Sequence, residues 1–152
     1  MDTKRLIREQ LDNKFIKLQV LDDISIPPSG WIYAIRQALS MSLRQLAQKL
    51  SITSQSVKEI EEREKNATIS IKVLKQVASA LDMKFVYGFI PREKTLEKMI
   101  EVRAQMLARQ IVERTSIHMG LEDQSNTQER LNKAIKDKSE ELIKEMPRIL
   151  WD

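Results

Sequence analysis

The sequence predicts a mainly α-helical protein built around a helix-turn-helix unit, with one short β-strand and a helical C-terminal region. Three observations predict it. Apolar residues recur at spacings of three and four along most of the chain. Ser, Thr and Asn stand just before several of these stripes, where a helix needs a side-chain acceptor for its first free N–H groups. Glycine and proline number only three and four in 152 residues, and aromatics make up 5%, a balance that favours helix over sheet.

The elements follow in chain order. Residues 1–26 form an N-terminal arm, in which Leu6, Ile7, Leu11, Phe15, Leu18 and Val20 predict an amphipathic helix. The run Ile26-Pro27-Pro28-Ser29-Gly30 ends it. Residues 27–82 hold four helices. The first covers Trp31 to Leu39 and opens at Ser29 and Gly30. The second follows Ser42 and carries Leu43, Leu46, Ala47 and Leu50. The third follows Thr53 and turns Val57 and Ile60 inward, and the fourth is capped by Ser70 and buries Ile71, Leu74, Val77, Ala78 and Leu81.

Residues 83–91 change character. Met83-Lys84-Phe85-Val86-Tyr87-Gly88-Phe89-Ile90-Pro91 is rich in aromatic and β-branched residues and stops at proline, which predicts a strand with Phe85, Tyr87 and Phe89 on one side. No second strand of comparable strength is present, so the prediction is pairing with the same strand of another copy, a homodimer held by Phe85, Tyr87 and Phe89. Residues 92–152 predict two more helices. One runs from Thr95 to Met119 and ends at Gly120. The other follows Asn126, with Glu129 completing a capping box, and breaks at Pro147. Trp151, near the end of the apolar tail, is expected to dock on the domain.

Composition narrows the function. No apolar run approaches the roughly 18 residues of a membrane span, and the charged residues after Met1 do not read as a secretory signal. The absence of cysteine excludes disulfides and thiolate metal sites. A cytoplasmic protein without a cofactor is expected, with no membrane among its partners. The net charge is +4, and residues 31–82 hold eight basic against five acidic residues, a net +3. The excess lies where a polyanion would meet the helix-turn-helix, although such an excess suits any acidic partner.

The stretch from Ser42 to Arg63 carries the functional signal. Two short helices joined by a three- or four-residue turn leave the second free to enter a major groove. Ala47 is small where the helices cross, and Leu46, Leu50, Ile52, Val57 and Ile60 are expected to close the interior. Beyond the Thr53 cap the exposed positions are Ser54, Gln55 and Lys58. These are residue types that read base edges: amide to adenine, ammonium to guanine, hydroxyl to several acceptors.

Ser42 through Leu81 resembles the phage-repressor (Cro/C1, xenobiotic-response-element) helix-turn-helix domains of lambda-repressor-like fold. The resemblance rests on Leu46-Ala47, the Ile52-Thr53-Ser54 turn, Gln55-Ser56-Val57, Ile60-Glu61, Leu74 and Ala78-Ser79-Ala80-Leu81. It implies base reading by Ser54, Gln55 and Lys58, and phosphate contact by Gln48 and by the loop Lys65-Asn66-Ala67-Thr68. Two positions depart from the pattern. Ser51 replaces a turn glycine, and Leu43 replaces a polar phosphate contact for which Arg44 next door can substitute. Glu59, Glu61, Glu62 and Glu64 make the far end of the third helix acidic, so its first turns are expected to read DNA.

The resemblance extends beyond this unit. Pro27-Pro28-Ser29-Gly30-Trp31-Ile32, Phe89-Ile90-Pro91-Arg92, Leu121-Glu122-Asp123-Gln124 and Pro147-Arg148-Ile149-Leu150-Trp151 together are similar to the family called mobile mystery protein A. That family stands beside a Fic-domain protein in a pair resembling a toxin–antitoxin system. The resemblance thus implies an autoregulating repressor and antitoxin, a homodimer on an inverted-repeat operator in double-stranded DNA, with a Fic-domain partner protein. The alternative is an interaction module that neutralises its partner with little regulatory role.

The remaining features read more simply. His118, the one histidine, has no neighbouring ligand residue and is not read as a metal or base site. The glutamates from Glu59 to Glu64 read as a solvated helix face. Arg103, Arg109 and Arg114 read as a solvated stripe paired with Glu101 and Glu113 rather than as a second phosphate track. Ser125-Asn126-Thr127-Gln128-Glu129 loosely resembles the inhibitory helix of Fic enzymes, but helix capping accounts for it better. No phosphate-cradling loop, catalytic triad or metal cluster is evident, and an enzyme is not expected.

Overall fold

The computed structural model describes residues 2–119 and 124–152, and the side-chain surroundings of these outside 116–127. Among the described residues the order is α1 (Thr3–Leu18), α2 (Trp31–Ala38), α3 (Leu43–Leu50), α4 (Ser54–Lys65), α5 (Ile71–Ala80), α6 (Leu96–Met119) and α7 (Gln124–Glu145). Short 3-10 turns cover Gln19–Asp23 and Arg148–Trp151. The chain divides into two compact units: Leu21–Gly88, and Met1–Val20 together with Phe89–Asp152.

In the unit Leu21–Gly88 the helices begin where the sequence offers acceptors. Ser42 accepts from the Gln45 N–H while the Gln45 side chain accepts from the Ser42 N–H, a reciprocal cap that starts α3. Thr53 caps α4 by accepting from the Ser56 N–H at 3.1 Å, and Ser70 caps α5 by accepting from the Val73 N–H at 3.2 Å. The helix α2 has no such side chain at its N-cap, Gly30. Glu64, on the last turn of α4, supplies the acceptor instead and takes the Ile32 N–H at 2.8 Å. Gly30 has φ 88°, and an added Cβ would stand 2.7 Å from Glu64 Oε1. Only glycine meets both demands.

The core of this unit is Ile32, Leu46, Ala47, Val57 and Val77, with Met41, Leu43, Leu50, Ile60 and Leu74 half-buried around it. Ala47 is buried and small, which lets α3 and α4 approach. Ile52, expected inside, is exposed; its place in the tight turn between α3 and α4 points it away from the crossing.

The predicted strand is not found. Among the described residues no strand is present, and residues 83–90 run as irregular chain. A ladder needs a second row of N–H and C=O groups, and the described residues supply none beside the segment. The Met83 N–H is anchored on the Ala78 carbonyl at 2.7 Å. Phe85 and Tyr87 stack with ring centroids 5.8 Å apart, while Tyr87 and Phe89 stay exposed.

In the second unit, α6 packs along α7 through Ile100, Ala104, Leu107, Ala108 and Leu142. Ala104 and Ala108 lie one turn apart, fully buried, and their small size allows the close approach. The tail is held by Leu150, fully buried, rather than by Trp151, which is about half exposed. The 3-10 turn that follows Pro147 decides this, because it turns Leu150 inward and its neighbour out. Arg103, read from the sequence as part of a solvated ion-paired stripe, donates to the Leu150 and Asp152 carbonyls and locks this turn on α6. Glu101 pairs with Lys98 instead.

The helix α1 joins this unit by an unexpected face. Its buried residue is Asp12, whose carboxylate accepts the Leu96 N–H at 2.7 Å and the Glu97 N–H at 3.3 Å, capping α6 from outside that helix. Arg8 adds an ion pair to Glu97 at 3.1 Å. Phe15 and Leu18 are half-buried, but Leu6, Ile7, Leu11 and Val20 of the predicted apolar stripe remain exposed. The orphan N–H groups of α6 need an acceptor, and that need sets the rotation of α1. The expectations for His118, Gly120 and the Ser125–Asn126 cap lie outside the described residues; α7 begins at Gln124, ahead of Asn126.

Candidate nucleic-acid interface

The geometry of the interface starts at the turn between α3 and α4. The helix α3 closes with Ser51 in the left-handed region, φ 55° and ψ 42°. The Ser51 N–H reaches the Gln48 carbonyl at 3.2 Å and the Ile52 N–H the Ala47 carbonyl at 3.0 Å. These bonds satisfy the last carbonyls of α3. The chain then has only Ser51, Ile52 and Thr53 in which to reverse before α4 begins at Ser54. The left-handed position, where the resemblance implies a turn glycine, is therefore held by a strained serine here.

Directly beyond the Thr53 cap, Ser54 and Gln55 occupy the first turn of α4 and Lys58 the next. All three are exposed, and their side chains make no hydrogen bond or ion pair within the described residues. Val57, between them in sequence, is fully buried and anchors the opposite face of the helix. The start of α4 thus offers a hydroxyl, an amide and an ammonium to solvent on a rigid support.

The residues assigned to phosphate are exposed as well. Arg44 and Gln48 lie on the outer face of α3, while Lys65 ends α4 and Asn66 and Thr68 occupy the loop beyond it. That loop is shaped by Ala67, left-handed at φ 58°. The Thr68 N–H closes on the Arg63 carbonyl at 2.8 Å and the Asn66 N–H on the Glu62 carbonyl at 3.0 Å. Leu43, in contrast, packs half-buried against the core. Its departure from a polar contact has a packing reason, and Arg44 is the exposed neighbour.

The acidic run on α4 is not the solvated face expected from the sequence. Glu61 is buried and takes Arg36 in a fork: Nη2 to Oε1 at 2.7 Å, and Nε to both carboxylate oxygens at 3.1 and 3.2 Å. The Arg36 Nη1 also donates to the Met41 carbonyl at 3.0 Å, and the guanidinium lies 5.4 Å from the centre of the Tyr33 ring. The hydrogen bond to Glu61 holds the Arg36 pKa above its ordinary value, against the opposing effect of burial. Glu64 turns to cap α2, so only Glu59 and Glu62 of the four face solvent. Sequence reasoning missed Arg36 and Glu61. The signal was present: Arg36 stands four residues after Ile32 and Glu61 four after Val57, each on the buried stripe of its helix.

Among the described residues no helix is long and apolar enough to cross a membrane. No curated protein and no solved structure gave a match. A family model described as helix-turn-helix matches residues 32–87, which span α2 to α5 and the chain just beyond. Residues 32–87 are a helix-turn-helix domain, and that domain marks the chain as a DNA-binding transcription regulator.

Proposed function

We propose that this protein is a dimeric repressor that reads a short inverted repeat in its own promoter and serves as the antitoxin of a Fic-domain partner. The observation that supports base reading is the first turns of α4, where Ser54, Gln55 and Lys58 stand exposed without side-chain partners among the described residues. In this reading those three specify sequence, and Arg44, Gln48, Lys65, Asn66 and Thr68 set the register through phosphate. Two symmetric reading helices place the half-sites about one DNA turn apart, roughly 34 Å. The protein acts in the cytoplasm as a binding protein rather than an enzyme. The antitoxin role rests on the chain-end motifs that resemble mobile mystery protein A.

The test is an electrophoretic mobility shift with the DNA upstream of the gene, at stated salt, against a scrambled duplex. Preference for the upstream DNA that disappears in Ser54→Ala/Gln55→Ala supports the reading. Equal binding of both duplexes removes sequence-specific regulation.

The division into two units favours a second role for the same chain. Residues Phe89–Asp152 carry no part of the DNA-reading turn, so they are free to hold a toxin. Co-purification of the full chain with its Fic-domain neighbour, repeated with the Gln55 and Lys58 variants, separates the two roles. Partner binding that survives the loss of operator binding assigns them to different units.

A further inference from the structure

The unit Leu21–Gly88 carries a second surface that DNA reading does not use. Between α2 and α5 lies a groove of about 580 Å³, floored by apolar side chains of those two helices. Its rim is Leu21, Ile24, Ile26, Trp31, Met83 and Val86, each between 38% and 70% exposed. No residue of α3 lines it, and α4 contributes only Glu64 from its last turn. The groove is thus separate from Ser54, Gln55 and Lys58, and both surfaces can be engaged together.

The chemistry of the groove selects its occupant. Its charged lining residues are Glu64 and Lys84, and Glu64 is already spent on the Ile32 N–H. A small polar ligand would find few convergent groups to orient it. An apolar protein surface would find a long greasy rim. That surface is present on the same chain. Phe85 and Val86 line the groove, and Tyr87, the next residue, is 62% exposed with its ring stacked on Phe85. The hole and the knob sit side by side, and a two-fold axis can place each knob in the other copy's hole. At ordinary side-chain areas the six rim residues and Tyr87 expose roughly 700 Å², close to the about 800 Å² per partner that a stable pair buries. An uncovered apolar patch of that size is unusual for a monomer.

We propose that this groove is the self-association surface of the protein, with Tyr87 of each copy seated among the rim residues of the other and no strand pairing involved. The inference rests on reading the protein as a dimeric DNA-binding regulator, and names the surface that makes it one.

The test is sedimentation velocity of the full chain at micromolar concentration, with and without operator DNA. Three variants are compared: Ile24→Glu, Tyr87→Ser, and Lys133→Glu on the exposed face of α7 as a control. Circular dichroism checks that each is folded. Ile24→Glu and Tyr87→Ser are expected to weaken self-association about thirtyfold or more, and Lys133→Glu to leave it unchanged. Because the chain has no cysteine, a second readout is available. With a mild oxidant added to take up the two thiol electrons, a tagged Tyr87→Cys chain mixed with an untagged Ile24→Cys chain, a pair whose second Tyr87–Ile24 contact is intact, should form a mixed disulfide, which Tyr87→Cys with Lys133→Cys should not. A dimer that persists in both groove variants without that crosslink overturns this surface and leaves the dimeric reading standing. A wild-type chain that stays monomeric both free and on operator DNA overturns the two together. A small apolar molecule retained in the groove of a monomer, seen by native mass spectrometry, also overturns self-association there.

Discussion

The guanidinium of Arg36 on α2 and the carboxylate of Glu61 on α4 meet inside the helix-turn-helix core, 2.7 Å apart at their closest, with both side chains less than one-tenth exposed. The pair ties the reading helix to α2, and through the Met41 carbonyl it also fixes the chain entering α3. Removing one partner leaves the other charge buried and unpaired. Arg36→Met or Glu61→Gln alone should destabilise the unit by about 3–5 kcal/mol, and the double variant Arg36→Met/Glu61→Leu should recover most of that. Chemical denaturation checks it, followed at Trp31 in a Trp151→Phe background so that only this unit reports.

The pH dependence of that pair follows from its sign. Arg36 has a folded pKa raised above its ordinary value, so its contribution is fully present below the unfolded value and is lost only as pH rises through the folded one. The penalty of Arg36→Met should therefore be the same at neutral and mildly alkaline pH. A penalty that fades across that range would show that the pair does not hold the charge this geometry requires.

Two left-handed residues are built from side chains that resist it, Ser51 at φ 55° and Ala67 at φ 58°. Ser51→Gly and Ala67→Gly should each raise stability by up to about 1 kcal/mol, because a Cβ is strained there. The reverse direction is sharper: Ser51→Val should destabilise, and thermal melts of the three variants rank them.

Base and phosphate contacts separate by their salt response. Lys58→Ala should weaken binding to the preferred duplex by about 1–3 kcal/mol and relax the preference at one base pair. Lys65→Ala should weaken all duplexes alike and reduce the slope of log affinity against log salt by about one. Titrations at several salt concentrations on operator and scrambled DNA distinguish them. A Lys58 variant with unchanged preference is not a reader.

In the other unit, Asp12 and Leu150 are the anchors. Asp12→Ala should cost about 1–2 kcal/mol by leaving the Leu96 and Glu97 N–H groups of α6 without an acceptor, and should expose residues 3–18 to proteolysis. Leu150→Ala should cost about 2–5 kcal/mol, whereas Trp151→Ala should cost less than about 1 kcal/mol. Denaturation followed at Trp151 in a Trp31→Phe background reads Asp12→Ala and Leu150→Ala, and circular dichroism reads Trp151→Ala. Equal effects at 150 and 151 would mean that the tail is held differently.

Local features were legible from the residues alone: the helix starts at Ser42, Thr53 and Ser70, the inward Leu46, Val57 and Val77, and the polar first turns of α4. Each depends on neighbours within about four positions, through cap hydrogen bonds or helical periodicity. Features that involve a distant partner emerged only from the packing. Glu61 is a core residue only because Arg36 lies opposite it, Gly30 and Glu64 fit only as a pair, and Asp12 is buried where it meets the Leu96 and Glu97 N–H groups that Thr95, the local cap of α6 on Lys98, does not reach. Residues 83–91 have the composition of a strand but no ladder, because backbone pairing needs a second strand that local propensity cannot supply. A side chain's chemistry is written in one position, whereas its role depends on which unsatisfied group the fold brings to meet it.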